Sequence, residues 1–159
     1  MIGEAAEDRL DKAGRVRKVR RDELGKLLEL YRYLNPDDPD ISKNEATIQL
    51  WDEICDDHRQ SILVLEEDDC LAASCTLVIV SNLTRGGRPY GLIENVVTHG
   101  NYRRRGYGKA VLDRAVAIAR EKGCYKIMLL TGRKDEGVFS FYESAGFDRS
   151  KKTGFYMKL

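Results

Sequence analysis

Apolar residues recur along the chain with two periods, and the switches between them mark out the elements. Val16 and Val19, alternating imperfectly with basic residues over 15–20, predict a short first strand. Leu24, Leu27, Leu28, Tyr31 and Leu34 recur at helical spacing and predict a helix over 22–34, ended by Asn35-Pro36. Ser42 followed by Glu45 predicts a capping box. The helix it opens has Ile48, Trp51, Ile54, Cys55 and His58 on its inner face. Three apolar runs, 61–65, 70–80 and 90–98, predict strands separated by the acidic turn Glu66–Asp69 and the turn Arg85–Pro89. Helical periodicity returns over 106–122, with Val111, Ala115, Ile118 and Ala119 inward and Gly123 as C-cap. A buried strand over 125–131, a helix over 135–145 stopped by Gly146, and a last strand over 154–159 complete the pattern. The order is βααβββαβαβ, an α/β arrangement with helices on the faces of a mixed sheet. Within it, 90–98, the following helix and 125–131 form a βαβ unit with parallel strands.

Length and composition add bounds. The chain has 159 residues, 42% hydrophobic and 33% charged, which fits one domain over 15–159 preceded by a flexible 1–14 segment. No apolar run reaches the length of a membrane span, and 1–14 is charged, with no signal-peptide core. A cytoplasmic location is the expectation. Cys55, Cys70, Cys75 and Cys124 form no CxxC pair and read as buried free thiols, and no metal-ligand spacing occurs. The formal net charge of +1 conceals a split. Residues 1–70 hold 19 acidic and 11 basic side chains; residues 71–159 hold 7 and 16. The basic segment therefore predicts an anionic partner.

The chemistry concentrates in Val96-Val97-Thr98-His99-Gly100-Asn101-Tyr102-Arg103-Arg104-Arg105-Gly106-Tyr107-Gly108-Lys109, which leaves a strand and opens a helix. Gly106 and Gly108 allow a tight turn and close approach of a ligand to the backbone. The helix N-terminus presents N–H groups to an anion, and three arginines add bidentate phosphate donors. Neither the Walker pattern nor the full GxGxxG fingerprint is present. The stretch reads either as a basic turn or as a pyrophosphate site.

Arg103-x-x-Gly106-x-Gly108 between strand and helix resembles the acetyl-CoA loop of the GNAT N-acetyltransferases. Two helices near the N-terminus, the long hairpin, and Phe141-Tyr142-Glu143-Ser144-Ala145-Gly146-Phe147 match the same order. Gly91–Asn95 and Gly123–Ile127 resemble the glucosamine-6-phosphate N-acetyltransferase branch over the C-terminal half only. Asn95 stands where that branch usually has Asp, so its sugar specificity is not carried over. The resemblance implies a GNAT fold: a mixed, mostly antiparallel sheet of six to seven strands with about four helices. It implies a bulge in 90–98 and a gap between that strand and 125–131, where acetyl-CoA lies along Val96, Val97 and Thr98. The N–H near Val97 would polarise the thioester carbonyl. Arg103, Arg104, Arg105, Gly106, Tyr107, Gly108 and Lys109 would hold the pyrophosphate.

By the same resemblance Glu94 is the candidate general base, partly buried, acting directly or through a water on the acceptor amine. The other reading of Glu94 is a structural pair with Arg103 or Arg88. Tyr142 is the candidate acid for the departing thiolate, or a core tyrosine. Asp135 replaces the Asn that many relatives place beside pantetheine. His99 reads as a loop residue. The implied activity is direct acetyl transfer from acetyl-CoA, without a metal, to a primary amine of a small molecule or peptide. A homodimer is compatible with the resemblance. The alternative is an acyl-CoA-binding sensor that needs neither Glu94 nor Tyr142. Nucleic acid is disfavoured because the basic residues cluster at one loop. Asp37, Asp38, Asp40, Asp56 and Asp57 read as a solvated face or as attraction for a cationic acceptor.

Overall fold

The computed structural model describes Lys12 and residues 15–159. The 1–14 segment, Lys12 apart, lies outside the described residues. Among the described residues the sheet has five strands: β1 (Arg17–Lys18), β2 (Gln60–Glu67), β3 (Cys70–Val80), β4 (Tyr90–Thr98) and β5 (Ile127–Leu129). They lie side by side in chain order. The first three pairings are antiparallel, and β4 pairs with β5 in parallel. The β2–β3 hairpin turns on Asp68 and Asp69, both left-handed, at φ 49° and 60°. That geometry matches the twist of a two-residue hairpin, and Asp tolerates it better than most residues.

Four helices flank the sheet among the described residues. They are α1 (Leu24–Tyr31), led in by a 3₁₀ turn at Arg21–Glu23, α2 (Glu45–Asp56), α3 (Tyr107–Glu121) and α4 (Glu136–Ser144). A short helical turn at Thr84–Gly87 joins β3 to β4. The sheet separates two cores. Leu63, Leu65, Ala73, Cys75, Leu77 and Ile93 pack against Val111, Leu112 and Ala115 of α3. Ile62, Val64, Leu71 and Val97 pack against Leu27, Leu30 and Trp51 of α1 and α2.

Several expectations need correction. The cap of α2 is Asn44, whose side chain accepts the Thr47 N–H at 3.0 Å, while the Ser42 carbonyl takes the Thr47 hydroxyl. α2 buries Trp51 alone, and Ile48 and His58 are exposed. Cys75 is buried, Cys55 and Cys124 are half-buried, and Cys70 is exposed. β5 is shorter than 125–131 because only Gly91–Ile93 of β4 run beside it. Among the described residues the sheet has five strands rather than six to seven, and 154–159 forms no strand. There Phe155, Tyr156 and Met157 are 81–93% exposed.

Candidate active site

The site begins with an irregularity in β4. Ser74 pairs with Val97 and Thr76 with Glu94, so Asn95 and Val96 together oppose Cys75. This is a β-bulge, and Asn95 takes a left-handed φ of 51° to make it. The bulge bends β4 away from β5: their pairing stops at Ile93–Leu129, and Glu94–Thr98 have no β5 partner. This leaves a gap in the sheet on the β5 side of β4, lined by strand backbone without a sheet neighbour among the described residues.

Strand alternation decides which N–H groups enter the gap. The His99 N–H donates to the Ala72 carbonyl at 2.9 Å, toward β3. Val97, two residues earlier in the same regular stretch, points its N–H the same way. The intervening Thr98 N–H, and that of Val96 at the bulge, point toward the gap. The Val97 N–H thus faces β3 and its two neighbours face away, since a bulge shifts the alternation by one.

The anion loop follows this unpaired end of β4 along the chain. A 3₁₀ turn at Gly100–Tyr102 leads into it, Arg104 is left-handed at φ 61°, and Gly106 is left-handed at φ 81° as the N-cap of α3. No side chain caps α3, so the N–H groups of its first turn are left for a ligand. The two glycines act differently. A Cβ at Gly106 would meet nothing within 4 Å, so the space above it is open. A Cβ at Gly108 would lie 2.8 Å from Thr98 Oγ1 and 3.3 Å from Phe141 Cζ, so this glycine lets α3 close on β4 and α4.

Arg103, Arg104 and Arg105 are exposed, and Arg105 also lies 5.3 Å from the centre of the Tyr102 ring. Lys109 turns away: its ammonium binds Asp113 at 2.7 Å, one turn along α3. The Tyr107 hydroxyl donates to Glu67 at 2.9 Å, and the Tyr102 hydroxyl to Asp68 at 3.1 Å. Arg15 donates to the same Glu67 oxygen at 2.6 Å. These tyrosines thus tie the anion loop to the β2–β3 turn. Nothing local in the sequence signals this, because the partners are more than 30 residues apart.

Glu94 pairs across the sheet with Thr76, so its side chain lies on the α1–α2 face. It is exposed, not partly buried, and no ion pair joins it to Arg103 or Arg88. Arg88 binds the carbonyls of Gly123 and Cys124 instead. Beside the bulge, the Tyr31 hydroxyl faces Thr76, Ser74 and Asn95. Tyr142 of α4 is half-buried against the α3-side core, its ring 5.0 Å from that of Phe141 and 6.3 Å from that of Phe147. Burial raises the pKa of its hydroxyl; Arg133 opposes the rise and Glu94 adds to it. The hydroxyl therefore stays protonated and able to donate at neutral pH. Burial pushes the Cys75 thiol, opposite the bulge, up to about 12, and its Sγ donates to the Val111 carbonyl. A thiol so held is a poor nucleophile. Asp135 caps α4 by accepting the Val138 N–H at 3.0 Å.

Of the five acidic residues that could draw a cationic acceptor, Asp40 and Asp56 pair with Arg32 and Arg21. Asp57 accepts the Arg59 N–H. Much of that charge is thus already committed. Among the described residues no group of three or more His, Cys, Asp or Glu side chains could hold a metal, and no helix is long and apolar enough to cross a membrane.

Known proteins agree with this geometry. Residues 27–147 match the family model described as "Acetyltransferase (GNAT) family". The glucosamine 6-phosphate N-acetyltransferase of Trypanosoma brucei brucei is 43% identical over 77 residues, covering 48% of this chain and 50% of that protein. The chain thus spans about half the length of that relative. Glucosamine 6-phosphate N-acetyltransferase 1 of Oryza sativa subsp. japonica is 30% identical over 135 residues, 82% of this chain and 78% of that protein. Among solved structures, a protein of Agrobacterium tumefaciens str. C58 assigned as an acetyltransferase superposes with a TM-score of 0.85 at 44% identity. That match covers 91% of this chain and 99% of the other. With the bulge, the gap beside it and the uncapped helix start all in place, the family match extends over most of the fold, and the chain belongs to the GNAT acetyltransferase family.

Proposed function

We propose that this protein transfers the acetyl group of acetyl-CoA directly to a primary amine of a small molecule or peptide. The observation that carries the proposal is the gap left where β4 bulges away from β5, ending at the uncapped start of α3. The residues fit the co-substrate. The N–H groups of Tyr107, Gly108 and Lys109 hold the pyrophosphate, and the Arg103, Arg104 and Arg105 guanidinium groups stand near for its oxygens. The open space at Gly106 admits it. The exposed edge of Val96–Thr98 pairs with the pantetheine amides as a further strand would.

Each step of the proposed transfer is assigned to one group. Glu94, on the α1–α2 face, accepts the proton of the acceptor ammonium, directly or through a water, and frees the nitrogen lone pair. The Val96 N–H, aimed into the gap, polarises the thioester carbonyl and stabilises the oxyanion as the C–N bond forms. Tyr142 gives its proton to the sulfur as the C–S bond breaks. Transfer is direct, because Cys75 is held as a buried thiol. The curated relatives are named for glucosamine 6-phosphate, which makes that amino sugar the first acceptor to test. Asn95 in the bulge leaves the sugar specificity open to other amines. We also assign the 154–159 segment to a homodimer contact, argued below.

The test is initial-rate kinetics with acetyl-CoA and a panel of glucosamine 6-phosphate, aminoglycosides, polyamines and basic peptides. Turnover with intersecting double-reciprocal lines is expected for a ternary complex. Glu94→Gln should lower kcat about 10²-fold or more while leaving CoA affinity unchanged. Tight acetyl-CoA binding with no turnover on any amine would instead identify a sensor module.

A further inference from the structure

His99 lies outside the catalytic steps, yet three different contacts converge on its ring. It follows β4 and is half-buried. Its Nδ1 accepts the Asn101 N–H at 3.1 Å, which caps the 3₁₀ turn at Gly100–Tyr102. Its carbonyl accepts the Tyr102 N–H at 3.0 Å and closes the same turn. On one side of the imidazole lies Tyr33, just beyond α1, with ring centres 4.3 Å apart. On another side is Tyr102, at 5.2 Å, followed by Tyr107 of α3 at 6.2 Å from Tyr102. Gly100 adds to the fit: a Cβ there would lie 3.1 Å from the Tyr33 ring. A continuous run of rings therefore joins the end of α1 to the first turn of α3.

The turn capped by His99 is the last fixed point before the anion loop. Arg103 follows it directly, and the left-handed Arg104 and Gly106 follow within four residues. Donors that receive a phosphate act only where they are held in place, and small misplacements are costly. We propose that His99 is a positioning residue for the acetyl-CoA loop, its Nδ1 fixing the turn that presents the loop and its ring tying that turn to α1. The imidazole touches no proposed reacting atom.

This inference rests on the cofactor reading of the loop, and CoA binding to the unaltered protein tests that reading separately. CoA titration by calorimetry, with melting temperature measured alongside, then compares three variants. His99→Phe keeps a ring and loses the acceptor, and CoA affinity should fall about five- to tenfold, as expected for one lost positioning hydrogen bond. His99→Asn restores an acceptor at the cap and should recover affinity to within about twofold of the unaltered protein. Tyr33→Ala, far in sequence from the loop, should weaken CoA binding about threefold. Should His99→Phe prove unstable, the Asn and Tyr33 variants still decide the question. CoA affinity unchanged in His99→Phe, or Asn no better than Phe, overturns the proposal. A wild-type chain that fails to bind CoA overturns the loop assignment itself.

Discussion

At the residue scale, the two loop glycines look equivalent in the sequence and differ in the fold. Gly106 needs its left-handed φ of 81° and faces open space. Replacing it with Ala adds roughly 1–2 kcal/mol of backbone strain but no clash. Gly106→Asp adds a carboxylate where the phosphate is to sit, and should abolish CoA binding while the protein stays folded. Calorimetry and a melting curve on one sample check both halves. Gly108 is constrained by contact, because Thr98 Oγ1 stands 2.8 Å from where a Cβ would be. Gly108→Ala should therefore lower stability by about 1–3 kcal/mol, the usual range for overpacking. Thr98→Ala should restore part of it in the double variant, which denaturant melts of the four proteins would measure. The sequence made the loop legible because glycine spacing and arginine chemistry are local signals. It left the reasons for each glycine, and the direction of the N–H groups around the bulge, to long-range contacts, among them the pairing of β3 with β4.

At the element scale, the acidic half of the chain is largely self-neutralised, and that is where pH acts on the fold. Glu66 on β2 binds Lys26 of α1 and Arg17 of β1. The buried Glu23 binds Arg17 and Arg20 and accepts the Arg20 N–H. These contacts fasten β1 and α1 to the edge of the sheet. Lys26 first, then Arg17, lowers the Glu66 pKa from 4.5 to about 2. A carboxylate depressed in the folded state stabilises it fully above about 4.5 and loses that contribution as pH falls toward 2. Glu66→Gln should therefore lower the melting temperature at pH 7, and the gap to wild type should narrow between pH 4.5 and 2. Thermal melts across that range check the sign; a gap constant with pH would mean the ion pairs contribute nothing. Helix and strand positions were readable from periodicity, and so were the Gly123 and Gly146 stops, both left-handed in the fold. The network was not, because its carboxylates and cations lie up to 49 residues apart and reveal no period. The sequence reading put the cap of α2 at Ser42; the hydrogen bond from the Thr47 N–H identifies Asn44, two residues on, as the cap.

At the scale of the whole molecule, the +1 net charge resolves into a basic segment that carries the anion loop and an acidic one engaged in structural pairs. An apolar stretch also stands exposed. The 154–159 segment reads as a strand in the sequence, yet Phe155, Tyr156 and Met157 are almost fully exposed. Beside it β5 is an open sheet edge, with Met128 39% and Leu130 61% exposed. Gly154 lies against Leu130, so the segment leaves the sheet at the edge it could extend. Exposed strand edges and contiguous apolar surface are both costly in water. A second copy that lays its 154–159 on this β5, and receives the same in return, removes both costs by a two-fold exchange. At roughly 150–250 Å² per aromatic side chain, two such segments with the strand edges bury on the order of 1,000 Å², enough for a specific contact. Light scattering on the full chain should therefore report a dimer. A chain ended at Thr153, or carrying Met157→Asp, should report a monomer with lower thermal stability. Cysteines placed at Leu130 and Phe155 should form a disulfide between chains. A wild-type monomer whose cysteine pair closes within one chain would mean that the segment folds back as the sixth strand of its own sheet.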